Sequence, residues 1–419
     1  MSRIGVAVIG TGFFGGGLLR RLELLDDFEP RIAANRTLEH AIAEFERAGV
    51  ARAQLVITDD ARQAQLALDA GRQVVTTNLQ LPAALDGIDV VAECTGDLLV
   101  GAEVALAAIG AGKHVVAANS DVQATVGPIL GVLADRAGVV YTDINGDEPG
   151  LLKTLYDSCT RMGLEVVVAG NGKGVLKRYA TPATQAAYAA EYGLQPWLAT
   201  AAADGTKLNF ELTVLANATG LMPAIRGMHG PAVGIDDVVS ECQRLGLLDG
   251  GHYVEYVLGP RGVFVVVRSD DPQVQRDFRY VKMGNGPYYL FHEQRVLIHY
   301  QAPESIARAV RRHEATVAPL GAPVAETVGF AKRDLDAGRH VDGVGGFDTY
   351  GQIMRADDVA REHLVPIGIA QYARLVRPVA KDEPITYEAC EFEADNLALD
   401  LRRQQDARYN SRVESLAST

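Results

Sequence analysis

The 419-residue sequence predicts an α/β chain with three parts. A doubly wound parallel sheet comes first, a central α+β domain follows, and a β-rich domain closes. Three observations predict this. Apolar runs alternate with helix-patterned runs from the N-terminus to Asp143. A glycine-rich turn, Gly10-Thr11-Gly12-Phe13-Phe14-Gly15, directly follows the first apolar run. Beyond residue 150 the alternation gives way to β-like runs with helices between them, and beyond 322 to short turn-rich segments. Strand and helix in strict alternation are the pattern of a parallel sheet with covered faces.

The elements follow in order. Val6–Ile9 reads as a strand and 15–25 as a helix with Leu18, Leu19, Leu22 and Leu25 on one face. Arg31–Ala34, Ile88–Glu93, His114–Ala118 and Gly138–Asp143 read as strands. The runs 38–48 and 101–111 read as helices. In the second part, Leu151–Met162, Asp236–Leu245 and Glu304–Arg312 read as helices. Glu165–Val168, Lys207–Leu212, Val263–Val267 and Arg295–Tyr300 read as strands. The expected domains are 1–149, 150–321 and 322–395, with 396–419 as a polar tail forming a surface helix or frayed end.

Composition bounds the function. Hydrophobic residues make up 48% and charged residues 22%, the balance of a globular chain. No apolar run reaches the roughly 20 residues of a membrane span. The apolar run after Arg3 is broken by Gly10-Thr11-Gly12, so it reads as a buried strand and not as a signal peptide. The net charge of −13 argues against bulk nucleic-acid binding, which needs basic surface. The four cysteines are scattered without a C-x-x-C pair, which fits reduced core thiols in a cytoplasmic protein.

The glycine turn has the spacing of a dinucleotide site in a Rossmann domain. Gly10 permits the tight turn, Gly12 leaves room for a pyrophosphate, and Gly15 lets helix and strand pack closely. The helix N-terminus then offers free N–H groups to the phosphates. The second strand ends in Asn35-Arg36-Thr37 with no acid for ribose hydroxyls, so Arg36 is expected to pair with a 2′-phosphate, giving NADP as cofactor. Thr95 and Gly96 follow the strand ending at Glu93, Asn119 and Ser120 end the next strand, and all four are expected to line the same crevice.

Substrate chemistry is expected from three polar segments. Glycines around Lys173 permit a backbone nest for an anion, with Lys173 and Lys177 as cations. Asp147 and Glu148 are candidates for acid/base work or divalent-ion binding. Glu211 sits among apolar residues, where a charge needs a lysine or metal partner. His229 is a candidate proton donor, and Lys282 and Tyr288 have similar glycine-flanked polarity.

Gly10-Thr11-Gly12, His114 to Asn119 and Gly146-Asp147-Glu148-Pro149 together resemble the homoserine-dehydrogenase-like superfamily. Gly170 to Gly174 with Lys177, Ala216 to Leu221, Gly227 to Pro231 and Gly284 to Tyr288 resemble its branch of deoxyxylulose-phosphate-reductoisomerase-like enzymes. The segments 331–338, 364–368 and 379–386 are similar to an SAF (β-clip) domain. The resemblance implies rearrangement of 1-deoxy-D-xylulose 5-phosphate and NADPH reduction to 2-C-methyl-D-erythritol 4-phosphate in isoprenoid biosynthesis. It also implies a homodimer, and the usual reductoisomerase adds a divalent metal, magnesium or manganese. Ser120 stands where homoserine dehydrogenases carry lysine, which argues against homoserine as substrate. Asn285 stands where the reductoisomerase-like pattern has lysine. Two alternatives stay open: a dehydrogenase of another small polyol, aldehyde or amino-acid-like substrate, and a non-catalytic NADP-binding sensor.

Overall fold

The computed structural model describes residues 2–392 and 396–416. The chain divides into two compact units. The first holds Met1–Asp147, the returning stretch Leu297–Ala318 and the C-terminal helix Leu397–Leu416; the second holds Glu148–Val296 and the stretch from Pro319 to Phe392. The segment expected to form a separate domain from 322 is thus part of the second unit.

The first unit is a seven-stranded sheet. Its strands are β1 (Ile4–Ile9), β2 (Phe28–Ala34), β3 (Leu55–Ile57), β4 (Gln73–Thr76), β5 (Val90–Glu93), β6 (His114–Ala117) and β7 (Tyr141–Asp143). The order is β3-β4-β2-β1-β5-β6-β7, and every pairing is parallel. All six residues of β1 are buried, which explains its unbroken apolar run. Helices α1 (Phe13–Glu23), α2 (Leu38–Arg47), α3 (Ala61–Asp69), α4 (Leu98–Gly110) and α5 (Ser120–Ala137) connect the strands. The chain leaves β1 toward β2 on one side, and β5 lies on its other side. This is the reversal point at which doubly wound sheets bind ligands.

The run Gly15-Gly16-Gly17 is imposed by packing. A Cβ on Gly15 would stand 1.9 Å from the Gly10 carbonyl oxygen. One on Gly16 would meet the Glu44 carboxylate at 2.7 Å, and one on Gly17 the His299 ring at 2.8 Å. His299 belongs to the returning helix Ile298–Arg312, which lays Ala302, Ile306 and Ala309 into the core under α1. The same helix anchors the loop after β7: the Asn145 N–H donates to Ser305 Oγ (2.7 Å), and its side-chain amide to Glu304 (2.9 Å).

Of the two readings of the polar tail, the helix is the one found, and one side of it is buried. Helix Leu397–Leu416 buries Ala398, Leu399, Leu401 and Gln405 and packs on α5. Pro128 lies inside α5, and the Gln405 amide bonds the backbone on either side of it. Its oxygen accepts from the Ile129 N–H and its nitrogen donates to the Thr125 carbonyl, each at 3.2 Å. A proline has no N–H and displaces the preceding turn, which is why α5 needs an outside partner there. Residues 393–395 and 417–419 of the expected domain and tail lie outside the described residues.

The second unit contains α6 (Glu148–Arg161), β8 (Glu165–Lys173), α7 (Pro182–Tyr192), α8 (Pro196–Asp204), α9 (Thr206–Thr219), β9 (Met222–Pro223), α10 (Val238–Arg244), β10 (Tyr253–Leu258), β11 (Gly262–Arg268), α11 (Pro272–Tyr280) and β12 (Tyr288–Glu293). Its mixed sheet has the order β12-β11-β8-β10-β9. Leu151 and Leu152 of α6, and Leu208, Leu212 and Leu215 of α9, share a core with Val166, Ala169, Val254 and Val265 of the sheet. Val238 and Cys242 of α10 pack with Val168, Val257 and Phe264 in a second cluster.

Two expected strands are corrected. Lys207–Leu212 lies in helix α9, and helix Ile298–Arg312 begins within the run Arg295–Tyr300. Helix α9 is buried on nearly every side, so its sequence lacks an apolar stripe. Its polar residues bond the antiparallel pair β13 (Ala325–Ala331) and β14 (Thr349–Arg355). Asn209 accepts from the Ile353 N–H (2.8 Å), Thr213 meets Thr327 (2.8 Å), and Asn217 accepts from the Val324 N–H (2.8 Å). A second short pair, β15 (Ala373–Leu375) with β16 (Cys390–Phe392), follows. A buried ion pair between Lys332 and Asp204 (2.8 Å) ties this region to α8.

Candidate functional site

In the first unit the glycine turn sits at the C-terminal end of β1. Gly10 has φ +85°, and a Cβ there would stand 2.7 Å from the Cys94 carbonyl oxygen, so the turn admits only glycine. Gly12 differs: a Cβ would meet no atom within 4 Å. Nothing in the protein therefore requires glycine at 12, whereas a phosphate approaching the backbone would. Gly12 is also the N-cap of α1, with no side-chain cap and no acid in the first turn, leaving the helix N–H groups for an anion.

Asn35 holds the turn from β2, its side-chain oxygen accepting from the Thr11 N–H (3.2 Å) and its amide donating to the Thr37 carbonyl (2.8 Å). Asn35 is thus a scaffold for the loop that exposes Arg36 and Thr37. Arg36 makes no ion pair among the described residues. Phe13 is exposed, and Phe14 packs edge-on against His299.

At the end of β5, buried Glu93 accepts from the Thr95 N–H (2.7 Å) and hydroxyl. Burial pushes the Glu93 carboxyl up, against hydrogen bonds from Thr95 and Asn119. Gly96 turns the chain with φ +66°. Asn119 and Ser120 do not end a strand: Asn119 is the N-cap of α5, accepting from the Val122 N–H (3.4 Å), and Ser120 is its buried first residue. Gly101 makes room for this group, since a Cβ there would stand 2.8 Å from the Asn119 amide and 3.0 Å from Glu93.

In the second unit Lys173, Glu148 and Glu211 come together. The Lys173 ammonium lies 3.4 Å from Glu211 and 3.5 Å from Glu148. Asn171, two residues earlier on β8, donates its side-chain amide to Glu211 (2.9 Å). Burial pushes the Glu211 carboxyl up to about 7; Glu148 adds to the rise, and Lys173 and Lys207 oppose it. A carboxyl that is buried beside both a like and an opposite charge is a common feature of sites that exchange protons.

The expected nest around Lys173 is absent. Lys173 ends strand β8, and Gly170, Gly172 and Gly174 are all outside the positive-φ region that a nest requires. Gly170 and Gly172 serve close strand packing: added Cβ atoms would stand 1.9 Å from the Glu255 carbonyl oxygen and 2.6 Å from that of Pro260. Lys177 is exposed and makes no ion pair among the described residues; its backbone N–H donates to the Ala203 carbonyl (2.7 Å). Asp147 is the buried last residue of the first unit, bonded in sequence to Glu148.

His229 is held by buried Glu255 of β10, with His229 Nδ1 2.7 Å from the carboxylate. Tyr288 donates its hydroxyl to the Leu248 carbonyl (2.9 Å), a structural tie, and Lys282 lies exposed in a turn with φ +68°. Sequence reasoning missed Asn171, Glu255 and Glu93. Each is a polar residue inside an otherwise apolar strand, a signal that was readable in the sequence.

Residues 146–301 match the family model described as the catalytic domain of oxidoreductase DRL. That span is less than half the chain and contains Glu148, Lys173, Glu211 and His229. No curated protein matches. Among solved structures, the chain is similar to a probable dehydrogenase from Thermotoga maritima, at 12% identity and TM-score 0.44, over 76% of this chain and 91% of that one. It is also similar to a putative myo-inositol dehydrogenase from Sinorhizobium meliloti 1021, at 11% and 0.43, over 74% and 90%. The 1-deoxy-D-xylulose 5-phosphate reductoisomerase of Zymomonas mobilis in complex with NADPH matches at 17% and 0.35, over 50% and 57%. Among the described residues no helix is long and apolar enough to cross a membrane. The fold is α/β with a Rossmann-type parallel sheet, and the chain is an oxidoreductase.

Proposed function

We propose that the protein is an NADPH-dependent reductase of a small anionic carbonyl compound. The observation that carries this reading is Lys173 set between the carboxylates of Glu148 and Glu211, inside the span matching an oxidoreductase catalytic domain. The dinucleotide, when bound, supplies the two electrons as hydride. Gly10, Gly12 and the α1 N-terminus hold its pyrophosphate, and Arg36 with Thr37 holds the 2′-phosphate. Thr95, Gly96, Asn119 and Ser120 line the crevice, with Glu93 ordering Thr95. Lys173 polarises the substrate carbonyl or pairs with the substrate anion, and Glu211 holds and releases a proton near neutral pH.

Reductive isomerisation of 1-deoxy-D-xylulose 5-phosphate is the specific reaction proposed. Glu148 and Glu211 are oxygen donors of the type magnesium and manganese take. The Lys173 ammonium lies within 3.5 Å of both. The β-rich segment from 322 is proposed as an SAF-like region and the protein as a homodimer.

The test follows NADPH absorbance with purified protein, 1-deoxy-D-xylulose 5-phosphate, and either magnesium, manganese or a chelator. Turnover supports the reading, and its response to metal decides the roles of the two acids. Absence of turnover with this and a panel of anionic carbonyl compounds, while NADPH binds, overturns it.

A further inference from the structure

The loop after β9 carries a carboxylate–imidazole pair that extends this reading. Glu255 is 1% exposed, yet its carboxylate has a full set of donors. The backbone N–H of His229 lies 3.0 Å from both oxygens, those of Gly230 and Tyr256 donate to Oε1 at 3.1 and 2.9 Å, and His229 Nδ1 lies 2.7 Å from Oε2. A carboxylate accepting three backbone N–H groups is an acceptor only, so Nδ1 must be the donor. The proton on Nδ1 is thereby fixed, and Nε2 becomes the exchanging atom. Nε2 has no hydrogen-bond partner among the described residues and is not a buried orphan, so it is open to solvent.

The local backbone is shaped around this pair. Met228 takes φ +63°, an uncommon conformation for a side chain with a Cβ, to turn the His229 N–H toward Glu255. Gly230 must be glycine, because a Cβ there would stand 2.1 Å from the Tyr256 hydroxyl. The ring is thus held at its backbone and at Nδ1 while its far nitrogen stays exposed.

We infer that Glu255 positions His229 as an Nδ1–H imidazole whose Nε2 passes a proton to the substrate oxygen during reduction. This rests on the carbonyl-reductase reading. As hydride adds to the carbonyl carbon, the C=O π pair moves onto oxygen. That oxygen takes the Nε2 proton of the imidazolium, and the N–H bonding pair stays on nitrogen. The neutral ring keeps Nδ1–H on Glu255 and regains its proton from water. Glu255 accepts the Nδ1–H bond throughout and is a positioning residue.

The first test needs no turnover. Full-length protein labelled with 15N-histidine, with NADPH bound, is compared as wild type, H229Q and E255Q, the H229Q spectrum assigning one of nine histidines. At alkaline pH, where the ring carries a single proton, the expected result is that proton on Nδ1, and loss of that preference in E255Q while the melting temperature and NADPH affinity stay near wild type. A ring protonated on Nε2, or an even mixture of tautomers, in the wild type overturns the inference. Should E255Q fail to fold, the wild-type tautomer alone decides. Diethylpyrocarbonate labelling read by mass spectrometry gives a second measure, with His229 modified at Nε2 and slowed by bound substrate. A His229 that resists labelling overturns the role.

Where turnover is found, H229Q should lower kcat by about 100-fold or more with KM nearly unchanged, the range of a lost acid/base group. E255Q should lower it by a smaller factor, and the double variant should be no worse than H229Q. Full activity of H229Q overturns the proton role while leaving the reductase reading intact. A correct tautomer without any turnover sinks the reductase reading instead.

Discussion

At the scale of single residues the two glycines of the turn make opposite predictions. Gly15→Ala drives a methyl into the Gly10 carbonyl and should lower stability, read as a fall in melting temperature. Gly12→Ala meets nothing in the protein and should leave the melting temperature near wild type while weakening NADPH binding in a fluorescence titration. Unchanged NADPH affinity in Gly12→Ala would remove the pyrophosphate from this turn. Arg36→Ala should weaken NADPH by about 10-fold or more, the loss of a charge-assisted bond, and NADH far less. Equal weakening of both would sink the 2′-phosphate role. Glu211 gives a pH prediction. Its folded carboxyl titrates near 7, above its ordinary value, so the folded state binds the extra proton between about pH 4.5 and 7. Its contribution to stability is therefore full below that window and falls as pH rises through it. Urea midpoints of E211Q relative to wild type should rise from pH 5 to pH 8, and a flat difference would refute the shift. These residues were largely legible in the sequence: the glycine spacing, and an acid in an apolar run, are local signals. The partners were not, because Lys173 and Glu211 are distant in sequence and only the β8–α9 packing brings them together.

At the scale of elements, legibility followed where the polar residues go. Strands β1, β5 and β6 are buried on both faces and read as plain apolar runs. Helix α9 was misread because Lys207-Leu208-Asn209-Phe210-Glu211-Leu212 alternates like a strand. The alternation is real, but Asn209, Thr213 and Asn217 are buried against β13 and β14, so both kinds of residue face protein. The C-terminal segment forms the helix expected of it, but with one side buried. Its charge density suggests solvent, yet Gln405 bonds the Ile129 N–H and the Thr125 carbonyl beside Pro128 within α5. Gln405→Leu removes both bonds and leaves the Ile129 N–H and Thr125 carbonyl buried. Each unsatisfied group costs about 1–3 kcal/mol, so a loss of roughly 2–6 kcal/mol in denaturant unfolding is expected. A change under about 0.5 kcal/mol would mean that water replaces the amide. Because α5 begins at Asn119 and Ser120, the same variant should also weaken NADPH binding.

At the scale of the whole molecule, the second unit ends its sheet on β12, whose outer edge has no strand beside it among the described residues. Open edges are templates for pairing with another chain unless they are blunted. Here β12 runs Tyr288-Tyr289-Leu290-Phe291-His292-Glu293, with acid and imidazole only at its end and no proline within it. The adjoining turn exposes Tyr280 (84%) and Val281 (58%), and the preceding helix α11 buries none of its residues. An apolar pair beside an open strand is a feature that association would cover. The proposed homodimer is therefore expected to use this side of the sheet. Light scattering at micromolar concentration should give twice the monomer mass, and Tyr280→Ser with Val281→Ser should shift it toward monomer without lowering the melting temperature of each subunit. A monomer in the wild type would sink the dimer. A dimer indifferent to these two substitutions would keep the assembly but move its interface away from β12. The two outcomes differ in what they say about the catalytic residues. Glu148, Lys173 and Glu211 contact one another within one chain, so a monomeric protein with intact turnover remains fully compatible with them.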